Sequence, residues 1–213
     1  MSTRPLFDEE PRLALAPGAW LLRGFALAQA PALLAQIAAL CEQAPLRHMV
    51  TPGGLTMQVA MSNCGALGWV SDRRGYRYQT SDPDSGRPWP AMPPAFAALA
   101  QEAAAAAGFA GFMPDACLIN RYEPGTRLSL HQDRDEREHG HPIVSVSLGL
   151  PAVFLFGGLT RTERPQRLPL VHGDVVVWGG PARLRFHGIA PLAPPEPGAG
   201  WGERFNLTLR RAG

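Results

Sequence analysis

Apolar positions recur at helical spacing in two stretches of the chain and at every second residue in many others, so two kinds of element are predicted. Between Pro31 and Ala44, the residues Leu33, Leu34, Ile37, Leu40 and Cys41 fall on one helical face. Between Pro93 and Ala107, Phe96, Leu99 and Ala103 do the same, with Pro93 and Pro94 near the start and Gly108 placed to end the helix. Both predict amphipathic helices that brace a sheet. From about Asp115 onward the pattern shifts to short strand-like runs: Ala116 to Tyr122, Arg127 to Asp133, Ile143 to Leu150, Ala152 to Phe156, Leu168 to Leu170, Asp174 to Trp178, Leu184 to His187 and Phe205 to Leu209. Pro-Gly, Gly-Gly and Gly-Asp punctuation separates them. About eight short strands in series predict a jelly roll or a related double sheet, whose mouth can hold a metal. The stretch from roughly Thr51 to Pro90 is rich in Gly, Arg and aromatics and is expected to be an irregular functional surface.

Composition narrows the class. A chain of 213 residues has room for one sizeable core with an extension and is short for two ordinary domains. A net charge of +2 and a pI near 8.6 are too mild to announce a nucleic-acid binder from bulk charge, so local patches must carry any such role. All 20 basic residues are arginine, which a biased genomic base composition explains. Cys41, Cys64 and Cys117 are odd in number and form no Cys-x-x-Cys pair, which argues against a disulfide framework or a structural zinc site and suits a reducing compartment. The residues through Glu10 lack the apolar core of a signal peptide, and no run approaches membrane-spanning length. A soluble, cytoplasmic protein without membrane attachment is expected.

The chemistry is concentrated in Leu128-Ser129-Leu130-His131-Gln132-Asp133. In a strand, residues two apart project from the same face, so His131 and Asp133 are expected to point together. With His187 as a third ligand they make the two-histidine, one-carboxylate set that holds ferrous iron on one side and leaves the other positions open. The plainer account, on spacing alone of equal weight, is that His187 caps a strand end and His131 is an ordinary polar residue. His139 and His141 sit in a charged loop read as solvated, and His172, before Gly173-Asp174, reads as structural. On the last strand Arg204, Asn206, Thr208 and Arg210 share one face, opposite Phe205, Leu207 and Leu209. Two guanidiniums pointing into a core need an anion, and a dicarboxylate fits, with Asn120 and Tyr122 adding neutral hydrogen bonds. A solvent-exposed face explains the same pattern equally well.

Taken in order, Asn120-Arg121-Tyr122-x-Pro-Gly, His131-x-Asp133-x-Asp135, His187 and Arg204-x-Asn206-x-Thr208-x-Arg210 resemble the AlkB family of iron- and 2-oxoglutarate-dependent dealkylating dioxygenases. The resemblance runs from about Leu46 to Arg210 and takes in Trp69, Gly75-Tyr76, Phe156-Gly157-Gly158 and His172 to Gly180. It implies an α+β, mainly β fold: a double-stranded β-helix (jelly roll) core with flanking helices and an N-terminal nucleotide-recognition lid. The expected organisation is an extension with a brace helix (1–45), a lid (46–92) and the dioxygenase core with its own brace helix (93–213). The resemblance also implies Fe(II) held by His131, Asp133 and His187, and 2-oxoglutarate held by Arg204 and Arg210 with Asn120, Tyr122 and Asn206. Dioxygen is the oxidant.

The implied reaction couples oxidative decarboxylation of 2-oxoglutarate to hydroxylation of an N-methyl group, releasing succinate and formaldehyde and restoring the base directly. Its substrates are alkylated bases of the 1-methyladenine and 3-methylcytosine type in DNA, single-stranded or flipped out, or in RNA, and the family suggests a monomer. Trp69 and Tyr76 would stack on the cationic base, with His131 on its other side and Asp135 accepting from the exocyclic amino group. Met61, with Leu118 and Ser129, would line the cavity. Thr51, Tyr76 and Arg161, with Arg73, Arg74 and Arg77, would contact the strand. Two alternatives are a 2-oxoglutarate oxygenase acting on modified tRNA or a protein side chain, and a non-catalytic β-barrel that binds nucleic acid or metal.

Overall fold

The computed structural model describes residues 11–198 and 200–213, so the charged segment through Glu10 lies outside the described residues. In chain order the strands are β1 (Arg12–Ala16), β2 (Ala19–Leu22), β3 (Ala60–Gly65), β4 (Gly68–Asp72), β5 (Gly75–Gln79), β6 (Ala116–Tyr122), β7 (Leu128–His131), β8 (Ile143–Gly149), β9 (Ala152–Phe156), β10 (Gln166–Leu170), β11 (Val175–Trp178), β12 (His187–Ile189) and β13 (Arg204–Arg210). Helix α1 spans Ala30–Gln43 and α2 spans Pro94–Ala106. Both helices begin with proline in the first turn, where its missing N–H is no loss. Gly108, just beyond α2, takes a left-handed φ of 92° that other residues resist.

Seven strands form one sheet in the order β1-β2-β11-β8-β13-β6-β3, and four form a second in the order β10-β9-β12-β7. Period-two alternation explains why the larger sheet has two useful faces. Val144, Val146, Leu148, Val175, Val177, Leu207 and Leu209 pack with Leu33 and Ile37 of α1 and Phe96 and Leu99 of α2. Their strand neighbours turn the other way. Tyr122, Val176 and Trp178 meet Phe154, Phe156 and Ile189 of the smaller sheet and form the inner core. The helices therefore cover the outer face, as expected of braces, and the inner face is left to build a site between the sheets.

Two regions depart from the sequence reading. Residues 51–90, expected to be irregular, contain β3, β4 and β5, with β4 and β5 forming a separate antiparallel hairpin. Strand β3 reads Ala-Met-Ser-Asn-Cys-Gly, a poor strand sequence, and is extended because it pairs with β6 along its whole length. The N-terminal extension is a hairpin as well, and β2 pairs with β11 to enlarge the main sheet. Seven of the eight strands expected from Asp115 onward are present with the same or slightly shifted ends, whereas of the run Leu184 to His187 only His187 lies in a strand. Strand β7 stops at His131, so Asp133 lies beyond it, and His187 opens β12 instead of closing a strand. Polar side chains fix these two stretches in place of a ladder. Gln132 donates to the Leu184 carbonyl, and Arg183 Nη1 donates to the Asp133 carbonyl at 2.7 Å.

Candidate active site

His131 and His187 are directly opposed across the β7–β12 ladder, which places both imidazoles on one face with ring centroids 4.4 Å apart. The carboxylate of Asp133 turns back between them, with Oδ1 3.5 Å from His131 Nε2 and Oδ2 3.7 Å from His187 Nε2. The three ligand atoms lie within 4.8 Å of one another, close enough for one cation to bond all of them. Each imidazole is oriented from behind, because His131 Nδ1 lies 2.9 Å from the Ser129 carbonyl and His187 Nδ1 lies 3.1 Å from that of Arg185. A carbonyl can only accept, so Nδ1 carries the proton and the Nε2 lone pair is free. Burial pushes the His187 pKa down to about 3, which keeps the ring neutral. Burial opposes ionisation of Asp133, but the Arg210 guanidinium beside it overrides burial and holds the carboxyl well below its usual range. Neutral imidazole and ionised carboxylate are the states a metal ion needs.

Close approach of β7 and β12 depends on Gly188. A Cβ there would sit 2.5 Å from the Leu128 carbonyl oxygen and 3.1 Å from the Ser129 carbonyl carbon. Gly188→Ala is expected to force the two strands apart and separate the imidazoles. Mn(II) titration should show roughly tenfold weaker binding, and thermal unfolding a Tm lower by about 5 °C.

Beside these ligands the inner face of β13 is buried, not solvent-exposed. Arg204, Asn206, Thr208 and Arg210 are all at or below 7% exposure. Register places Arg204 opposite Tyr122 and Asn206 opposite Asn120. Thr208 Oγ1 and Asn120 Nδ2 both donate to Asn206 Oδ1, whose own amide donates to Ser145 Oγ and the Val146 carbonyl. Arg204 Nη2 donates to Ser147 Oγ at 3.0 Å, while its Nε and Nη1 are buried without a partner. Burial lowers its pKa to about 10. Asn120 Oδ1 and Trp178 Nε1 are also buried and unpartnered. A buried guanidinium with two unused donors is costly unless an anion completes it, so this arrangement fits a bound carboxylate. Arg210 donates through both Nε and Nη2 to Asp133 Oδ2 and thus stands next to the metal ligands.

Comparison with known proteins agrees with this site. The profile of the 2OG-Fe(II) oxygenase superfamily matches residues 18–210. The alpha-ketoglutarate-dependent dioxygenase AlkB of Salmonella typhimurium is 58% identical over 207 residues, covering 96% of this chain and 95% of that protein. AlkB of Escherichia coli is 56% identical, covering 97% and 96%. The chain belongs to the AlkB family. Among solved structures, OsALKBH1 superposes with a TM-score of 0.82 at 28% identity, covering 94% of this chain and 100% of that one. Fe(II), 2-oxoglutarate and dioxygen are therefore what this AlkB-family dioxygenase uses, and His131, Asp133 and His187 form a group that could hold the metal.

A cavity of about 700 Å³ extends from the metal ligands to the surface. Trp69 and Tyr76, from β4 and β5, stand at its mouth with rings stacked 5.6 Å apart and 13° from parallel. The Trp69 indole N–H donates to Asp135 Oδ2 at 2.8 Å, so Asp135 moors this aromatic pair, a task its sequence position did not reveal. Met61 is buried in the cavity wall, and Leu118 and Ser129 also line it. Arg161 stands exposed at the rim. Thr51 Oγ1 accepts the Leu55 N–H at 3.0 Å and fixes a tight turn there. Arg74 and Arg77, read as strand contacts, are both engaged with Asp72.

Sequence reasoning missed Tyr78, Glu136 and Arg183. Glu136 opens the charged loop read as solvated, yet it is 6% exposed and hydrogen-bonded to Tyr78. No periodic signal marks it. Ser145 and Ser147 were also missed, although their alternation with Val144 and Val146 announces an inward polar face. Among the described residues, His131, Asp133 and His187 form the one group with metal-ligand spacing. His172 is structural, as expected: its Nδ1 accepts the Gly149 N–H and its ring stacks on Trp201.

Proposed function

We propose that this dioxygenase removes methyl groups from ring nitrogens of cationic bases, of the 1-methyladenine and 3-methylcytosine type, in single-stranded DNA. The observation that carries this reading is the Trp69–Tyr76 stack, anchored by Asp135 at the mouth of the cavity that holds the metal ligands. A flat cation gains from electron-rich faces, and a carboxylate beside it balances the charge. Residues 46–92 act as the nucleotide lid, after the 1–45 extension and before the 93–213 core. Arg161 and the Thr51 turn hold the strand, which predicts weak, salt-sensitive binding with discrimination inside the pocket.

No side chain can attack the C–H bond of an N-methyl group; dioxygen is the oxidant, and bound iron with electrons from 2-oxoglutarate would activate it. The chain supplies position. Arg210, already on Asp133, takes the co-substrate carboxylate nearest the metal, and Arg204 takes the far one with Tyr122 beside it. Asn120 and Asn206 fix its orientation. Phe154 and Trp178 pack on the His187 ring and keep water from that side. The working form is a cytoplasmic monomer, in keeping with three free cysteines. None of the described helices is long and apolar enough to cross a membrane.

Mass spectrometry of methylated single-stranded DNA and RNA oligonucleotides, with iron, ascorbate and 2-oxoglutarate present or omitted, tests the reading. Formaldehyde and succinate should appear in equal amounts with loss of the methyl mark. Asp135→Ala is expected to cut kcat/KM on 1-methyladenine by roughly tenfold or more, leaving the KM for 2-oxoglutarate unchanged. Undiminished demethylation by that variant would overturn the substrate assignment.

A further inference from the structure

We propose that Glu136 is a positioning residue that couples the lid to the metal centre by sharing two arginines with Asp133. Glu136 Oε1 accepts the Tyr78 hydroxyl hydrogen at 2.9 Å and lies 3.3 Å from Arg210 Nε, while Oε2 lies 3.0 Å from Arg183 Nη2. Arg210 also donates to the Asp133 carboxylate, and Arg183 Nη1 donates to the Asp133 backbone carbonyl. Arg210 thus bridges the two carboxylates, and Arg183 ties the Glu136 carboxylate to the Asp133 backbone. Two cations face two anions in a closed, buried cluster, and one of the anions is a metal ligand.

The second half of the coupling comes from the lid. Trp69 and Tyr78 are directly opposed across the β4–β5 hairpin, and they grip consecutive acids: Trp69 holds Asp135 and Tyr78 holds Glu136. The hairpin is therefore hydrogen-bonded to the same short loop that carries Asp133. Without the Glu136 charge, both arginines would turn to one carboxylate, competing with the metal for its oxygens and leaving surplus positive charge beside a divalent ion. In a desolvated site such repulsion is poorly screened. By linkage, whatever orders the metal centre should also order the hairpin, and the reverse.

The inference rests on the metal assignment, so the test separates the two. Mn(II) affinity of chelator-stripped protein is measured by calorimetry, with amide hydrogen exchange over residues 68 to 79 as the second readout. Wild type should bind Mn(II) and exchange more slowly when it does; no binding by wild type would sink the metal reading itself. Glu136→Gln, which keeps shape and loses charge, should weaken Mn(II) binding roughly tenfold and remove the metal-dependent slowing. Glu136→Asp, which keeps the charge, should recover most of the affinity. Tyr78→Phe should speed hairpin exchange several-fold while Mn(II) affinity stays within about threefold. The proposal falls if Glu136→Gln binds Mn(II) within twofold of wild type, or if Glu136→Asp is no better than Glu136→Gln. Should Glu136→Gln fail to fold, Tyr78→Phe decides alone, and unchanged hairpin exchange overturns the idea.

Discussion

Replacing Arg204 with methionine is expected to raise the thermal stability of the chelator-treated protein and at the same time abolish its response to 2-oxoglutarate. Arg204 is 1% exposed, with one hydrogen bond to Ser147 and two donors left without a partner. Exchanging a buried, incompletely paired ion for an apolar side chain of similar length commonly stabilises a fold, here by about 1–3 kcal/mol. The same two donors are what a carboxylate would occupy. Losing two charge-assisted bonds should raise the KM for 2-oxoglutarate by roughly 100-fold or more. Wild type, with 2-oxoglutarate at a hundredfold excess over Kd, should gain about 2.7 kcal/mol. For a chain of this size that corresponds to about 5–10 °C in Tm. The variant should show a higher baseline and no ligand-induced shift. A preserved shift would mean that the co-substrate binds elsewhere.

The second large effect separates a ligand that also holds the fold from one that does not. Asp133→Ala and His131→Ala should both abolish iron-dependent release of formaldehyde, yet only Asp133→Ala should lower the Tm of chelator-treated protein. The Asp133 carboxylate is the acceptor of two Arg210 bonds in a buried cluster, whereas the His131 side chain is 35% exposed and stands at the cavity edge. Removing one partner of a buried ion pair leaves a stranded charge and costs about 3–5 kcal/mol, equivalent to about 10 °C in Tm here. Glu136 softens the loss because it remains beside Arg210. Differential scanning calorimetry with chelator present checks both variants. Equal Tm values for the two would show that the arginine cluster does not depend on Asp133.

Legibility differed sharply between parts of the site. His131, Asp133 and His187 could be paired from sequence because two of them are neighbours, and β13 displayed its polar face because a strand repeats every second residue. The strand logic itself was only partly right. Asp133 lies past the end of β7 and reaches His131 through a loop pinned by Arg183, not through shared strand geometry. Glu136 and Tyr78 were silent, since a single acid in a charged loop and a single tyrosine in a Gly- and Arg-rich stretch carry no period. Strands β3 to β5 were equally hidden, their local sequences being weak and their extension imposed by partners.

By itself the sequence determined the two helices, the strand series after Asp115 and the chemistry of the inward face, because each depends on residue type at a fixed local spacing. Tertiary structure alone decided which buried charges face each other, which donors are left without a partner and how the β4–β5 hairpin meets the loop that carries Asp133. Those outcomes depend on contacts between residues far apart in the chain, and no local pattern encodes the burial that gives a charge its cost or its use.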